Sequence, residues 1–375
     1  MTTTVEHAHP ALAPTTLGGL ALRNRYAVAP MTRVSARPDG TPTGEMADYY
    51  AEFARGGFGL VFSEGTYPDL AASQGYLNQP GLAGDEHVAG WRVVTAGVRA
   101  AGGRMIAQLM HAGAISQGNP HHEYTVGPSA VRPRREMMPA YGGSGPWPVP
   151  RELTRAEIDD VVDGFAAAAE RARQAGFDGV EVHAANGYLL DQFLTDYTNL
   201  RTDEYGGPVA NRIRLTARVV SAVAEAVPDL VTGVRLSQTK VNDFTYRWPG
   251  GRDDAEVIFA AVAEAGANYL HIASEGRNWL ETARLADGGT ITALARQITG
   301  LPVIANGGMH DLAQAHEVLT GGHADLLSVG HGALANPDLP ARVAAAEPLA
   351  VFDRAMVSPT VTVANARRWR ESRQA

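Results

Sequence analysis

The run His183-Ala184-Ala185-Asn186-Gly187-Tyr188 gathers an imidazole, a carboxamide and a phenol within six residues. Two neighbouring donors suit the polarisation of a carbonyl, and a phenol beside them suits protonation of the adjoining carbon. The apolar stretch Gly179 to Val182 just before them reads as a buried strand, so all three groups stand at one strand end. Alternation along that strand puts Glu181 and His183 on one face and Val180 and Val182 on the other. Arg235, flanked by Val234 and Leu236, has the same inward setting. A guanidinium in a buried core requires an anion. The residues alone leave two: an internal pair with Glu181, or a cofactor that becomes anionic on reduction.

Positioning such groups takes a scaffold of strand ends. Eight short apolar runs are present: Arg25 to Pro30, Gly59 to Gly65, Arg104 to Gly113, Gly179 to Gly187, Leu230 to Ser237, Tyr269 to Gly276, Pro302 to Gly308 and Ala324 to Gly330. Amphipathic segments lie between them. Thr154 with Glu157 and Asp253 with Glu256 have capping-box spacing, and Asn336-Pro337 reads as an N-cap followed by a first-turn proline. A weak internal repeat recurs at Ala175-Gly176-Phe177-Asp178-Gly179-Val180, Ala265-Gly266-Ala267-Asn268-Tyr269-Leu270 and Gly321-Gly322-His323-Ala324-Asp325-Leu326. Each copy combines a helix-ending glycine, a polar link and a strand opening.

Strand and helix alternating in this way fit an α/β fold of the (β/α)8 TIM-barrel type, a single domain over residues 1–375. Residues 114–153, proline-rich and too long for a plain loop, form an insertion after strand three that should make a lid or small hairpin over the barrel mouth. Residues 350–375 form a C-terminal tail. There Arg367, Arg368, Trp369 and Arg370 either cap the chain's own barrel or reach a neighbouring subunit, which leaves monomer or homo-oligomer undecided.

Composition narrows the chemistry. A formal net charge of -8 argues against nonspecific nucleic-acid binding. Lys240 is the only lysine, so a P-loop is excluded. Without cysteine there is no disulfide, iron–sulfur cluster or thiolate zinc site, and redox chemistry must come from a bound organic cofactor. Residues 1–10 lack the pattern of a signal peptide, and no apolar run reaches the roughly 18 residues of a membrane span. The expected compartment is the cytoplasm.

Chemistry in such barrels sits at the C-terminal strand ends. The polar residues there are Thr32, Gln108, His111, His183, Asn186, Arg235, Asn306 and His331. Gly307-Gly308 and Gly330 offer backbone N–H groups where barrels hold a phosphate. No G-x-G-x-x-G occurs, which favours a mononucleotide over a Rossmann dinucleotide site. A metal-dependent hydrolase could draw on His111, His183, His271 and His331, but strand one lacks a His-x-His pair and strand eight a metal-binding aspartate, so no metal is expected. A Schiff-base aldolase would have to use Lys240, just beyond strand five. His111 and His271 read as structural.

Seven segments in chain order resemble the Old Yellow Enzyme family of FMN-dependent ene-reductases. They are Ala29-Pro30-Met31-Thr32, Gly59-Leu60-Val61-Phe62-Ser63-Glu64-Gly65, Gln108-Leu109-Met110-His111-Ala112-Gly113, the His183 to Tyr188 run, Arg201-Thr202-Asp203-Glu204-Tyr205-Gly206-Gly207, Gly233-Val234-Arg235-Leu236-Ser237 and Ala335-Asn336-Pro337-Asp338-Leu339. The resemblance implies FMN as cofactor, NADPH or NADH as reductant and an activated alkene as substrate. It implies that Thr32 bonds flavin O4, Gln108 the pyrimidine edge, and Arg235 the N1 and O2 side, where it stabilises the anionic reduced cofactor. Ala29, Pro30, Met31 and Gly65 would line the ring system, while Asn306, Gly307, Gly308, Gly330 and His331 would surround the phosphate. His183 and Asn186 would hold the oxygen of a carbonyl or nitro group, and Tyr188 would protonate the α-carbon after hydride attack on the β-carbon. A flavoprotein that only binds ligands is the alternative, disfavoured by the intact His183, Asn186 and Tyr188 set. The chain ends at Ala375 without the cysteines of larger, iron–sulfur-bearing relatives, so electrons should come directly from nicotinamide.

Two positions depart from the family pattern. His331 stands where many members carry a phosphate-binding arginine, which implies weaker FMN binding that loosens as pH rises. Met110 stands where relatives often have tryptophan, which implies a wider or reshaped substrate pocket.

Overall fold

A computed structural model describes residues 8–274 and 278–374. Eight parallel strands close into a barrel: β1 Tyr26–Val28, β2 Leu60–Phe62, β3 Arg104–Leu109, β4 Gly179–Asn186, β5 Val231–Lys240, β6 Tyr269–Ala273, β7 Val303–Asn306 and β8 Leu326–Val329. These are the eight runs read from the sequence, trimmed at their ends; of the run ending at Gly276, that terminal residue lies outside the described residues. Lys240, expected beyond strand five, is the last residue of β5, because that strand continues past Ser237.

The principal helices around the barrel are α1 Gly44–Arg55, α2 Asp85–Ala100, α3 Arg155–Gln174, α4 Arg214–Ala226, α5 Arg252–Glu264, α6 Ile291–Thr299, α7 Leu312–Thr320 and α8 Leu339–Ala344. A final helix, α9, spans Val363–Gln374. The reason α3 packs where it does is plain in its sequence. Ile158, Val161, Val162, Phe165, Ala168, Ala169 and Ala172 recur at helical spacing and are all buried, in the same apolar layer as Val180 and Val182 of β4. Its start is fixed by the capping box, in which Thr154 Oγ1 accepts from Glu157 N at 3.3 Å and Glu157 Oε2 accepts from Thr154 N at 2.8 Å.

The internal repeat has a mechanical meaning. Gly176, Gly266 and Gly322 follow the ends of α3, α5 and α7 with φ of 83°, 100° and 73°, and the polar residue in each link then ties the next strand to the one before it. Asp178 Oδ2 accepts from Met105 N at 2.9 Å, Asn268 Oδ1 from Thr232 N at 2.8 Å, and Asp325 Oδ2 from Val303 N at 2.9 Å. Neighbouring strands are thereby aligned at their N-terminal ends.

A feature not read from the sequence closes that lower end. Thr15–Leu17 and Leu20–Leu22 form an antiparallel hairpin through Gly18 and Gly19, both at positive φ as a two-residue turn requires. Leu17 and Leu22 plug the barrel against Ala27, Leu60, Phe62, Ile106, Tyr269, Ile304 and Leu326. Open space for a ligand is left at the other end.

Two helix-start readings need correction. Asp253 does not cap α5; that helix begins one residue earlier after Gly251, while Asp254 Oδ2 reaches back to Gly250 N at 2.9 Å. Asn336 is no N-cap either. It ends the helical turn His331–Ala335, and its amide binds both backbone groups of Ala350, accepting from N at 2.7 Å and donating to O at 2.9 Å. Long-range hydrogen bonds outrank the local Asn-Pro signal there, and Asp338 precedes α8 instead. Within 114–153 the two ends pair in parallel, Val126 with Arg151 and Gly127 with Glu152, and an antiparallel bridge joins Glu136 to Pro146. The tail lies on α1 of the same chain, with Arg367 2.9 Å from Glu45 and Arg370 2.6 Å from Glu52. None of the described helices is long and apolar enough to cross a membrane.

Candidate active site

A cavity of about 540 Å³ opens at the C-terminal strand ends, within the range of small-molecule and cofactor sites. Every site residue nominated from the sequence lines it: Ala29, Pro30, Met31 and Thr32 after β1; Gly65 after β2; Gln108 on β3; His183, Asn186 and Tyr188 from β4; Arg235 on β5; Asn306, Gly307 and Gly308 at β7; Gly330 and His331 after β8.

Strand register explains how they converge. His183, Arg235 and His271 are direct neighbours across β4, β5 and β6, all buried. The layer below runs Gln108, Glu181, Gly233, Tyr269. A Cβ on Gly233 would meet the Tyr269 ring at 2.0 Å, so only glycine leaves room for that tyrosine inside the barrel. Arg235 Nη1 lies 2.7 Å from His271, which itself contacts Glu181 at 2.9 Å.

Asn186 is aimed by backbone geometry. The β4 and β5 register shifts between Ala184 and Asn186, and Asn186 takes φ of 65°, a left-handed conformation that asparagine tolerates better than most residues. Its N–H donates to Ser237 Oγ at 2.8 Å and its carbonyl accepts from Val241 N at 3.0 Å. Gly187 N donates to Asp191 at 2.7 Å, and Asp191 holds Lys240 Nζ at 2.8 Å from both carboxylate oxygens.

Among the described residues, His183 Nδ1 and Asn186 Nδ2 are buried without a hydrogen-bond partner. Burial, then the charge of Arg235 with His271 beside it, holds the His183 imidazole well below its usual range, so it is neutral and carries a single N–H. Two unsatisfied polar groups lining one cavity call for a polar ligand atom. Tyr188 packs on His183 with ring centroids 4.9 Å apart, and its hydroxyl is 2.7 Å from that of Tyr76.

Tyr76 went unnoticed in the sequence because it comes from a loop beyond β2 and belongs to no strand-end motif. His310, Asn278, Met138 and Tyr141 also line the cavity, as do Val357 and Val361 from the C-terminal segment. Asn306 turns its amide toward β8, donating to Ser328 Oγ at 3.0 Å and Ser328 O at 3.1 Å, so its side chain braces the glycine loop. His331 stacks on Phe352 with centroids 4.1 Å apart and planes 6° apart. Desolvation, then His310 and Arg354, hold its imidazole below the usual range. Met110 is buried with Tyr76, Tyr188 and Trp147, the last supplied by the 114–153 insertion, so aromatic bulk stands behind the thioether. His111 accepts from Gly113 N at 3.1 Å and plays a structural part.

Residues 11–349 match the family model of the NADH:flavin oxidoreductase / NADH oxidase family. The chain belongs to the Old Yellow Enzyme family. It is similar to chanoclavine-I aldehyde reductase of Penicillium roqueforti, 34% identical over 363 residues with 91% of each chain covered. It is equally similar to a protein of Leishmania infantum named "probable flavin mononucleotide-dependent alkene reductase", 34% identical over 345 residues, covering 90% of this chain and 91% of that one. The solved structure of the Old Yellow Enzyme homologue from Zymomonas mobilis superposes with a TM-score of 0.82 at 33% identity, covering 91% of this chain and 94% of that one. This Old Yellow Enzyme relative is an NAD(P)H-dependent flavin oxidoreductase on a (β/α)8 barrel. The polar side chains of Thr32 and Gln108, the inward guanidinium of Arg235 and the glycine loops at Gly307, Gly308 and Gly330 fit a flavin mononucleotide.

Proposed function

We propose that the protein reduces the C=C bond of small α,β-unsaturated carbonyl or nitro compounds, with NADPH or NADH as reductant, and that residues 114–153 act as a lid on the site. The observation that carries this reading is the pair of buried, unpartnered side-chain nitrogens of His183 and Asn186, beside the Tyr188 phenol in one cavity. Bound FMN would supply the hydride chemistry, with the nicotinamide as its source. His183, neutral, and Asn186 each donate a hydrogen bond to the activating oxygen, and both bonds strengthen as negative charge builds there. Tyr188 delivers the proton to the α-carbon, the one that bears the carbonyl or nitro group. Tyr76, in hydrogen-bond contact with Tyr188, holds the phenol in place and donates to the oxygen left negative by that transfer. Thr32, Gln108 and Arg235 hold the isoalloxazine edge, and the backbone of Gly307, Gly308 and Gly330 the phosphate.

Steady-state turnover of cyclohexenone, maleimide and a nitroalkene under each nicotinamide tests the reading. Tyr188→Phe is expected to lower enone turnover by roughly 10²-fold or more while retaining FMN. Full activity in that variant would remove Tyr188 as the acid, and a wild type inert toward all three would remove the substrate class.

His331 yields a second expectation. Its imidazole starts below the usual range and a neighbouring phosphate must raise it, so protonation accompanies FMN binding. Affinity should therefore weaken as pH is raised from about 6 to about 8, the range around an ordinary imidazole. His331→Arg should bind FMN more tightly and lose that slope, and its own profile subtracts titration of the phosphate near pH 6. Parallel profiles for the two proteins would exclude His331 as the pH-sensitive contact.

A further inference from the structure

Beneath the cavity lies a buried polar layer that none of these steps uses. Glu181, Tyr269, His271 and Ser328 are at most 1% exposed. One Glu181 oxygen accepts from Gln108 Nε2 at 2.8 Å; the other accepts from the Tyr269 hydroxyl at 3.1 Å and lies 2.9 Å from His271 Nδ1. His271 Nε2 is 2.7 Å from Ser328 Oγ, which accepts from Asn306 Nδ2. The order carboxylate, imidazole, hydroxyl is that of a hydrolytic triad. Here it does no such chemistry, because the Ser328 hydroxyl is buried and does not line the cavity.

Arg235 gives the layer its significance. Its Nη1 lies 2.7 Å from His271 Nε2 and 3.1 Å from Nδ1. A donor in the ring plane and aimed at one nitrogen would be far from the other, so the guanidinium rests against the ring face. The ring nitrogens keep their in-plane partners, with Nδ1–H donating to Glu181 and Nε2 accepting from Ser328. Burial, then the Arg235 charge, lowers the His271 imidazole to about 4, in keeping with a neutral ring. For Glu181, burial opposes ionisation, and His271, Arg235 and Gln108 together outweigh it, leaving an anion. The neutral ring thus meets a cation on its face and an anion at its Nδ1 edge.

We propose that Glu181 and His271 are positioning residues that set how much of the Arg235 charge reaches the flavin. The imidazole fills the space beside the carboxylate that the guanidinium would otherwise enter. The carboxylate compensates part of that charge and turns Gln108 so that its carbonyl oxygen faces the cavity. This rests on the cavity being the FMN site.

The test is the two-electron midpoint potential of FMN-loaded protein, measured anaerobically. Glu181→Gln removes the anion and keeps the shape; the preference for reduced over oxidised FMN should rise about tenfold, an upward shift of about 30 mV. Glu181→Asp, which keeps the charge, should stay near wild type. His271→Ala empties the space beside the carboxylate, so the guanidinium settles onto it and the potential should fall. Loosened packing alone cannot move the two variants in opposite directions. Unchanged potentials, or shifts of the same sign, overturn the proposal. If Glu181→Gln alone fails to hold FMN, a potential in His271→Ala that does not fall overturns it. Loss of FMN from both variants overturns it too, since the layer would then shape the pocket and not tune it. A wild type that binds no FMN refutes the cavity assignment instead.

Discussion

Replacing Asn186 by alanine is expected to lower kcat/KM for an enone by roughly 10² to 10³-fold, the cost of deleting one donor to a developing oxyanion. The size of the effect follows from how that amide is held. Its N–H is fixed by Ser237 and its carbonyl by Val241, in a left-handed conformation that places Nδ2 at the cavity without a protein partner. A rigid, dry donor gains most when charge appears on its acceptor, because no water has to be displaced at that moment. His183 remains in the variant, so residual activity is expected. Asn186→Asp should fall further, because a carboxylate repels the same oxygen. FMN content, read from the visible spectrum, should be unaffected in the alanine variant. A loss smaller than about tenfold with cofactor retained would show that His183 alone carries the oxygen.

Lys240→Met should be the most damaging single change to stability, at about 3–5 kcal/mol. The two side chains of the Lys240 and Asp191 pair are 2% and 0% exposed. Burial raises the Asp191 carboxyl and lowers the Lys240 ammonium, and each is kept ionised by the other. Removing the lysine strands a carboxylate that also anchors Gly187 N, one residue from Asn186. The denaturant midpoint should drop with little change in slope. A second change, Asp191→Asn, should restore part of the loss, because an uncharged amide no longer needs a counter-ion. A single variant within about 0.5 kcal/mol of wild type would mean that water or another group already neutralises Asp191. In a chain that uses arginine everywhere else, the one lysine places its compact ammonium 2.8 Å from both oxygens of a single buried carboxylate.

The contrast between what the sequence disclosed and what it hid has a physical basis. His183, Asn186 and Tyr188 were legible because a strand end compresses chemistry into contiguous residues, and eight apolar runs with helical segments between them leave few architectures. Tyr76 was not, because its place beside Tyr188 depends on how a loop folds back over the barrel. Asn336 was misread because a local Asn-Pro preference is weaker than two hydrogen bonds to a residue 14 positions away. The floor hairpin escaped notice because three-residue strands carry almost no periodicity. The repeat was visible, whereas the work of Asp178, Asn268 and Asp325 in tying strand to strand was not. That work lies between segments distant in the chain.

The stretch from Phe352 to Val363 belongs to the pocket, although it lies far along the chain from the barrel's first strand. Val357 and Val361 line the cavity, Phe352 backs His331, Arg33 Nη2 donates to Thr362 O at 3.0 Å and Val363 N donates to Ser35 Oγ at 2.9 Å. One wall of the chamber is therefore built by a segment that follows all eight barrel strands in the sequence. The barrel by itself leaves that side open, and a strap tied to the loop after β1 shuts it.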